Sequence, residues 1–181
     1  SSGSFMEQKI EFAGGFLKGA HSFVKFTSEN RFFQKVSPES RVVFAERFYF
    51  GWMDRFGESL IIPLNERFYA GGDGSIRGFS RRSVGPKRDG DQPIGGNFTI
   101  VTNYEIRFPL YKKLGATLFW DAGNVWQNAR RFNFEDIRYG TGCGLRYNSP
   151  LGIARLDFGV NLDRKSSEKA GEIYFTIGQL F

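Results

Sequence analysis

Residues 98–110 read FTIVTNYEIRFPL, and their side chains alternate between two kinds. One set of positions is mostly apolar or aromatic and includes Phe98 and Leu110. The other set is largely polar and includes Asn103 and Glu105. Successive side chains of a β-strand point to opposite faces, whereas helical side chains return to one face after about 3.6 residues. The stretch therefore predicts a strand with one apolar face and one polar face.

Seven further stretches alternate in a similar way, and none of the chain predicts a convincing helix. They cover residues 5–16, 21–34, 41–53, 116–126, 138–148, 153–162 and about 172–181. The sequence thus predicts an all-β fold with eight strands. Most of these strands carry an apolar face together with a charged face, which a soluble sandwich does not need.

Two residues depart from the large apolar side chains that are typical of the apolar faces, Glu46 and Cys143. Glu46 falls among apolar side chains of the third stretch, where a charge that meets lipid is costly. A bulge or a protein-facing surface at that point would resolve the conflict. Cys143 also falls on an apolar face, and we interpret it as an inert small hydrophobe.

The composition favours a membrane β-barrel. The chain has 181 residues, of which 21 are Phe and 23 are Gly, and its mean hydropathy is −0.36. No apolar run reaches the roughly 20 residues that a transmembrane helix needs. In a membrane barrel, lipid-facing and water-facing side chains alternate along each strand, so the average hydropathy hides the membrane signal.

Charge and rare residues exclude several classes of function. The net charge is +6, but 25 basic residues are interspersed with 19 acidic ones, and no motif supports nucleic-acid binding. A single Cys excludes an intrachain disulfide and a multi-cysteine metal site. A single histidine, His21, argues against a histidine zinc site and a Ser-His-Asp triad. We expect no metal, no cofactor and no enzymatic activity.

The connections between predicted strands alternate in length after the third strand. Residues 55–96 form a very long loop, 111–115 a short turn and 127–137 a longer loop. Short turns at one end and long loops at the other are typical of an antiparallel outer-membrane barrel meander. We therefore assign residues 5–181 to a transmembrane β-barrel domain, and residues 1–4 to a tag or linker remnant.

The long loop contains RFYAGGDGSIRGF at residues 67–79. Glycine allows tight turns and close approach to another surface, which makes Gly71, Gly72 and Gly78 candidates for such a role. Ile76 and Phe79 are able to anchor the loop on either side of Arg77. Arg77 would then hold one charge in a fixed direction.

Several motifs in this order resemble the BamA/TamA-type superfamily of outer-membrane assembly and translocation barrels, which includes the bacterial surface antigen family. The matching segments are 68–72, 76–79, 83–86, 90–96, 119–126, 142–146, 149–152 and 173–181. The resemblance is strong from about Glu66 onward and weak before it. Barrels of this family have about sixteen strands, so the eight predicted here correspond to the second half of a larger barrel.

The resemblance also implies roles for particular residues. The long loop is expected to fold back into the lumen, where Arg77 pairs with Glu105 and Asp121. The alternation independently assigns both acids to the polar face. The ion pair of Arg77 either takes part in the activity of the barrel or only holds the loop in place. The last strand is expected to carry an assembly signal made of Ile173, Phe175, Ile177, Gly178 and Phe181. The alternative is that the terminal Phe181 is one more lipid-facing aromatic.

The function that the resemblance implies is insertion, assembly or translocation of proteins at an outer membrane, bacterial or of an organelle. The expected partners are the lipid bilayer, unfolded outer-membrane client proteins and the barrel assembly machinery, and not nucleic acid. A secretion pore, an anchor for a passenger or fused upstream domain, and a purely structural barrel are the alternatives. Eight strands either close by themselves, pair with a second copy as a homodimer, or join a first half elsewhere.

Overall fold

The computed structural model describes residues 2–15, 21–57, 59–89, 91–150 and 152–178. Eight long strands form one antiparallel sheet, and two short strands form a separate hairpin inside the long loop. The long strands are β1 Gly3–Ala13, β2 Phe23–Lys35, β3 Val43–Arg55, β6 Phe98–Tyr111, β7 Leu114–Trp126, β8 Arg138–Ser149, β9 Gly152–Asn161 and β10 Gly171–Ile177. The hairpin strands are β4 Lys87–Arg88 and β5 Gln92–Pro93.

The eight-stranded meander predicted from the sequence is confirmed. The order in the sheet is β1-β2-β3-β6-β7-β8-β9-β10, so long strands that follow one another in the chain are neighbours in the sheet. In the described part of the chain β1 and β10 do not pair with each other, and the sheet is open. The predicted end of the first strand at Phe16 and of the last at Phe181 lies outside the described residues.

Burial is inverted relative to a soluble protein. On the inner face of the sheet Asn103, Asp121 and Asp157 are fully buried. On the outer face, by contrast, the side chains of Phe158 and Phe175 are 48% and 70% exposed. Charged side chains are rarely fully buried unless they are paired, and large apolar ones are rarely left exposed in such numbers. An outer face of this kind matches a surface that contacts lipid.

The inner face is covered by the loop between β3 and β6. A core of apolar side chains lies between this loop and the sheet, in which Ile76 and Phe79 of the loop are buried with Val101 and Val125 of the strands. Burying such side chains stabilises the loop by about 1.5–3 kcal/mol each. The core of this structure is therefore a loop-on-sheet contact.

The register of β3 with both of its neighbours runs without a shift past Glu46, which lies half-buried on the outer face opposite Phe32 and Tyr104. No bulge turns this carboxylate inward. Among the described residues, no helix is long and apolar enough to cross a membrane.

Candidate functional site: a loop arginine on the inner wall

Backbone hydrogen bonds within the loop hold it in shape. Phe68 pairs with Gly96, and Ala70 with Val84, as isolated antiparallel bridges. Gly71 and Gly72 both have a φ of 100°, a left-handed region that favours glycine, and their turn leads the chain towards Ile76. All six loop residues selected from the sequence, Gly71, Gly72, Ile76, Arg77, Gly78 and Phe79, are buried.

Glycines on the wall let the loop backbone approach the sheet closely. A Cβ atom on Gly140 of β8 would lie 1.9 Å from the carbonyl oxygen of Arg77. A Cβ on Gly159 of β9 would lie 2.4 Å from the amide nitrogen of Gly78. Gly78 itself has a φ of 95°, and its own Cβ would collide with the backbone of Val160. Side chains at these positions would prevent the loop from docking as it does.

The docked loop directs Arg77 at two inner-wall carboxylates. Its Nε and Nη2 donate to Asp121 at 2.7 and 2.8 Å, and its Nη1 donates to Glu105 Oε1 at 2.5 Å. The backbone N–H of Arg77 also donates to Asp121 Oδ2 at 3.0 Å. The structure thus brings together the three residues singled out from the sequence. The two hydrogen bonds between the guanidinium of Arg77 and the carboxylate of Asp121 fix the orientation of Arg77 as well as the position of its charge.

Neighbouring side chains complete the environment of Arg77. The ring of Phe119 lies under the guanidinium, with 3.6 Å between the guanidinium carbon and the ring centroid. Asn103 donates to Asp121 Oδ1 at 2.8 Å and to the loop carbonyl of Ser75 at 2.5 Å. Arg77, Glu105 and Asp121 have at most 1% of their side-chain surface exposed. Because water is excluded, breaking these pairs is costly.

The ion pairs extend beyond the residues that the sequence singled out. Asp157 Oδ2 lies 3.8 Å from Arg77 Nη1 and accepts a 2.9 Å hydrogen bond from Arg155 Nη2. Arg107 donates to Glu105 at 2.7 Å, and Arg146 pairs with Asp157. The alternation assigned Asp157 to the inner face but not to this network. We call these four arginines and three carboxylates the wall network.

The loop also reaches the last described strand. Tyr174 of β10 accepts a hydrogen bond from the N–H of Gly78 at 3.0 Å and donates to the carbonyl of Phe79 at 2.8 Å. Thr176 donates to Asp73 at 3.0 Å, and Ser80 pairs with Glu172. The loop therefore spans the inner face from the acids of β6 and β7 to the edge strand.

The residues assigned to an assembly signal lie on the other face of this strand. Ile173, Phe175 and Ile177 are 70%, 70% and 65% exposed on the outside. Gly178 follows the end of β10 and has a φ of 126°, while Phe181 lies outside the described residues. The signal remains a prediction.

Outside the membrane-spanning strands, the pKa of one acid, Glu168, is strongly lowered. Glu168, in the loop between β9 and β10, accepts hydrogen bonds from Arg138 at 2.6 and 3.1 Å. Burial raises the pKa of Glu168, but the hydrogen bonds from Arg138, from the Lys165 amide and from Asn161 together outweigh that effect, and the pKa falls to about 2. Within the described part of the chain, no group of three or more His, Cys, Asp or Glu is arranged to hold a metal ion. Cys143 is exposed on the outer face.

The chain is similar in sequence to several known proteins. The outer membrane protein assembly factor BamA of Nitratidesulfovibrio vulgaris is 31% identical over 186 residues, which cover 99% of this chain and 23% of that relative. A SAM50-like protein of Schizosaccharomyces pombe is 29% identical over 181 residues, covering 92% of this chain and 37% of the relative. The chain thus spans between a fifth and two fifths of these relatives' length.

A solved structure and a family model agree with these matches. The crystal structure of BamA from Haemophilus ducreyi lacking POTRA domains 1–3 has a TM-score of 0.79 with this chain, at 21% identity. The match covers 96% of this chain and 38% of the Haemophilus ducreyi chain, and it supports the fold. The predicted resemblance and the outer-membrane location are confirmed by these relatives. A model described as the Omp85 superfamily domain matches residues 1–181, so the chain belongs to the Omp85 superfamily.

Proposed function

We propose that this chain forms part of a barrel that inserts and assembles proteins in an outer membrane, and that it acts without enzymatic chemistry. The observation that carries the proposal is the loop that Arg77 fixes to Asp121 and Glu105 while it also binds β10. In this proposal the loop braces the edge strand, which the contacts of Tyr174 with Gly78 and Phe79 support. The assembly factors among the relatives support the same function.

The proposed mechanism is non-covalent. An edge strand presents unpaired N–H and C=O groups, which are a template for pairing with another strand. Strand β10 is such an edge in the open sheet. A client strand would pair there, while Tyr174 and Thr176 hold the inner side of β10 to the loop. Clients are unfolded outer-membrane proteins, and the barrel assembly machinery and the lipid bilayer are the other partners in this proposal.

The unpaired edges of the sheet at β1 and β10 need further strands, because lipid offers no hydrogen bonds to them. We propose that the rest of a longer protein supplies these strands, since the relatives are several times longer than this chain. A homodimer is the alternative source. Native mass spectrometry of the intact protein in mild detergent separates the two: a monomer supports the longer protein, and a dimer supports the second copy.

Reconstitution of the intact protein in liposomes tests the function. A urea-unfolded barrel client is added, and its folded fraction is followed by the gel shift of unheated samples. We expect faster client folding than in protein-free liposomes, and slower folding with Arg77→Met than with Arg81→Met, a change at an exposed arginine of the same loop. Equal rates with and without the intact protein would exclude assembly and leave the secretion pore or the anchor. Equal rates for both variants would reduce the Arg77 pair to a structural pin.

A further inference from the structure

A cavity of about 510 Å³ lies on the inner face near the short turn between β6 and β7. Its lining is strongly basic and includes one carboxylate, Glu105. The basic lining residues are Arg41, Arg107, Lys112, Lys113, Arg146 and Arg155. We call this space the basic cavity. None of the roles proposed above for the loop or for β10 uses it.

The carboxylates nearby do not balance this charge. Glu105 and Asp157 are each shared by Arg77 and by arginines of the cavity, and Asp121 is taken by Arg77. The wall network has four arginines but three carboxylates, which leaves one positive charge in excess. Lys112 and Lys113 add charge from the exposed turn. Positive charge in a confined space of low dielectric attracts an anion more strongly than the same charge on an open surface.

Two arginine groups in the cavity lack acceptors. Within the described residues, Nε of Arg155 and Nη2 of Arg146 are buried and have no hydrogen-bond partner. Glu105 Oε1 lies 3.6 Å from Arg146 Nη2, beyond hydrogen-bond distance. Arg155 as a whole is 3% exposed. A buried donor that stays unpaired is destabilising, so each such group calls for a partner.

We propose that the basic cavity binds a phosphate group. Arginine forks match the oxygens of a phosphate, and the lysines add point charges that need no fixed geometry. The remaining lining is partly apolar, with Phe33, Val43 and Leu114 beside the arginines. A mixed lining of this kind suits a phosphate ester that carries an apolar part, such as a phospholipid headgroup, as well as free phosphate.

Binding is measured on the intact protein in a detergent that carries no phosphate. Isothermal titration with inorganic phosphate tests the free ion, and native mass spectrometry with added phosphatidylglycerol tests the lipid. We expect saturable binding that Arg155→Met weakens about tenfold or more, because a charged hydrogen bond is lost. The matched change Arg130→Met, at an exposed arginine outside the cavity, should leave it unaltered.

A second variant guards against misfolding. Lys113→Gln changes an exposed turn residue of the cavity and should weaken binding without affecting the barrel's resistance to unfolding. Binding of lipid but not of inorganic phosphate assigns the headgroup, and binding of both assigns the oxyanion in general. Absence of saturable binding for both ligands overturns the proposal. So does equal binding by Arg155→Met and Arg130→Met, and an acidic segment of a partner is then the better occupant.

Discussion

Replacing Arg77 by methionine removes the charge but keeps a side chain of similar length. Glu105 retains Arg107, and Asp157 retains Arg146 and Arg155. Asp121 loses the one ion pair recorded for it within the described residues. The loss therefore falls mainly on one buried carboxylate. Leaving one member of a buried pair behind costs about 3–5 kcal/mol, and we expect the free energy of unfolding to fall by that amount.

A double-mutant cycle isolates the pair. Asp121→Asn alone should also be destabilising, because it leaves Arg77 short of a counter-charge. With both changes the buried charges of Arg77 and Asp121 disappear together, and the combined loss should be smaller than the sum of the single losses by about 0.5–3 kcal/mol. Urea unfolding of the intact protein in micelles, followed by tryptophan fluorescence, gives the free energies. Arg81→Met is the matched control. Additive losses within about 0.5 kcal/mol would refute the pairing.

Three further outcomes are expected. Gly140→Ala should displace the loop and cost about 1–3 kcal/mol through overpacking, whereas Gly74→Ala, which meets nothing within 4 Å, should be neutral; limited proteolysis of the loop compares them. Because the folded pKa of Glu168 is depressed to about 2, its stabilisation should be complete above pH 4.5 and fade towards pH 2; thermal unfolding across this range should show less fading in Glu168→Gln. A nitroxide on Cys143 should be relaxed by oxygen more than by a water-soluble nickel complex, and the reverse result would contradict the strand register.

The strands were predictable because period two is a local signal. Apolar and polar side chains alternate within residues 98–110. The two faces of this strand therefore differ, independently of the segment that packs against either face. The same rule assigned Glu105 and Asp121 to the inner face. The pairing of Arg77 with these two acids came from the family resemblance, since a strand pattern gives the direction of a side chain and not the segment that covers it.

What the sequence did not predict depends on contacts between distant parts of the chain. Tyr174 binds Phe79 across 95 positions, and no local pattern connects them. The docking path of the loop had a usable signal, however. Gly140, Gly142 and Gly144 share one face of β8, and Gly159 lies on the same face of β9. Glycines in register on neighbouring strands indicate a track on which another backbone lies.

The wall network joins the loop site and the basic cavity into one electrostatic unit. Glu105 and Asp157 each interact with Arg77 on one side and with arginines of the cavity on the other. Without Arg77, the wall network would contain three arginines and three carboxylates, and its one excess positive charge would vanish. The positive charge that the cavity offers to an anion would thus be larger while the loop is docked, and Arg41, Lys112 and Lys113 line the cavity in either case. Because linked equilibria are reciprocal, an anion bound in the cavity would then favour the docked loop by the same free energy.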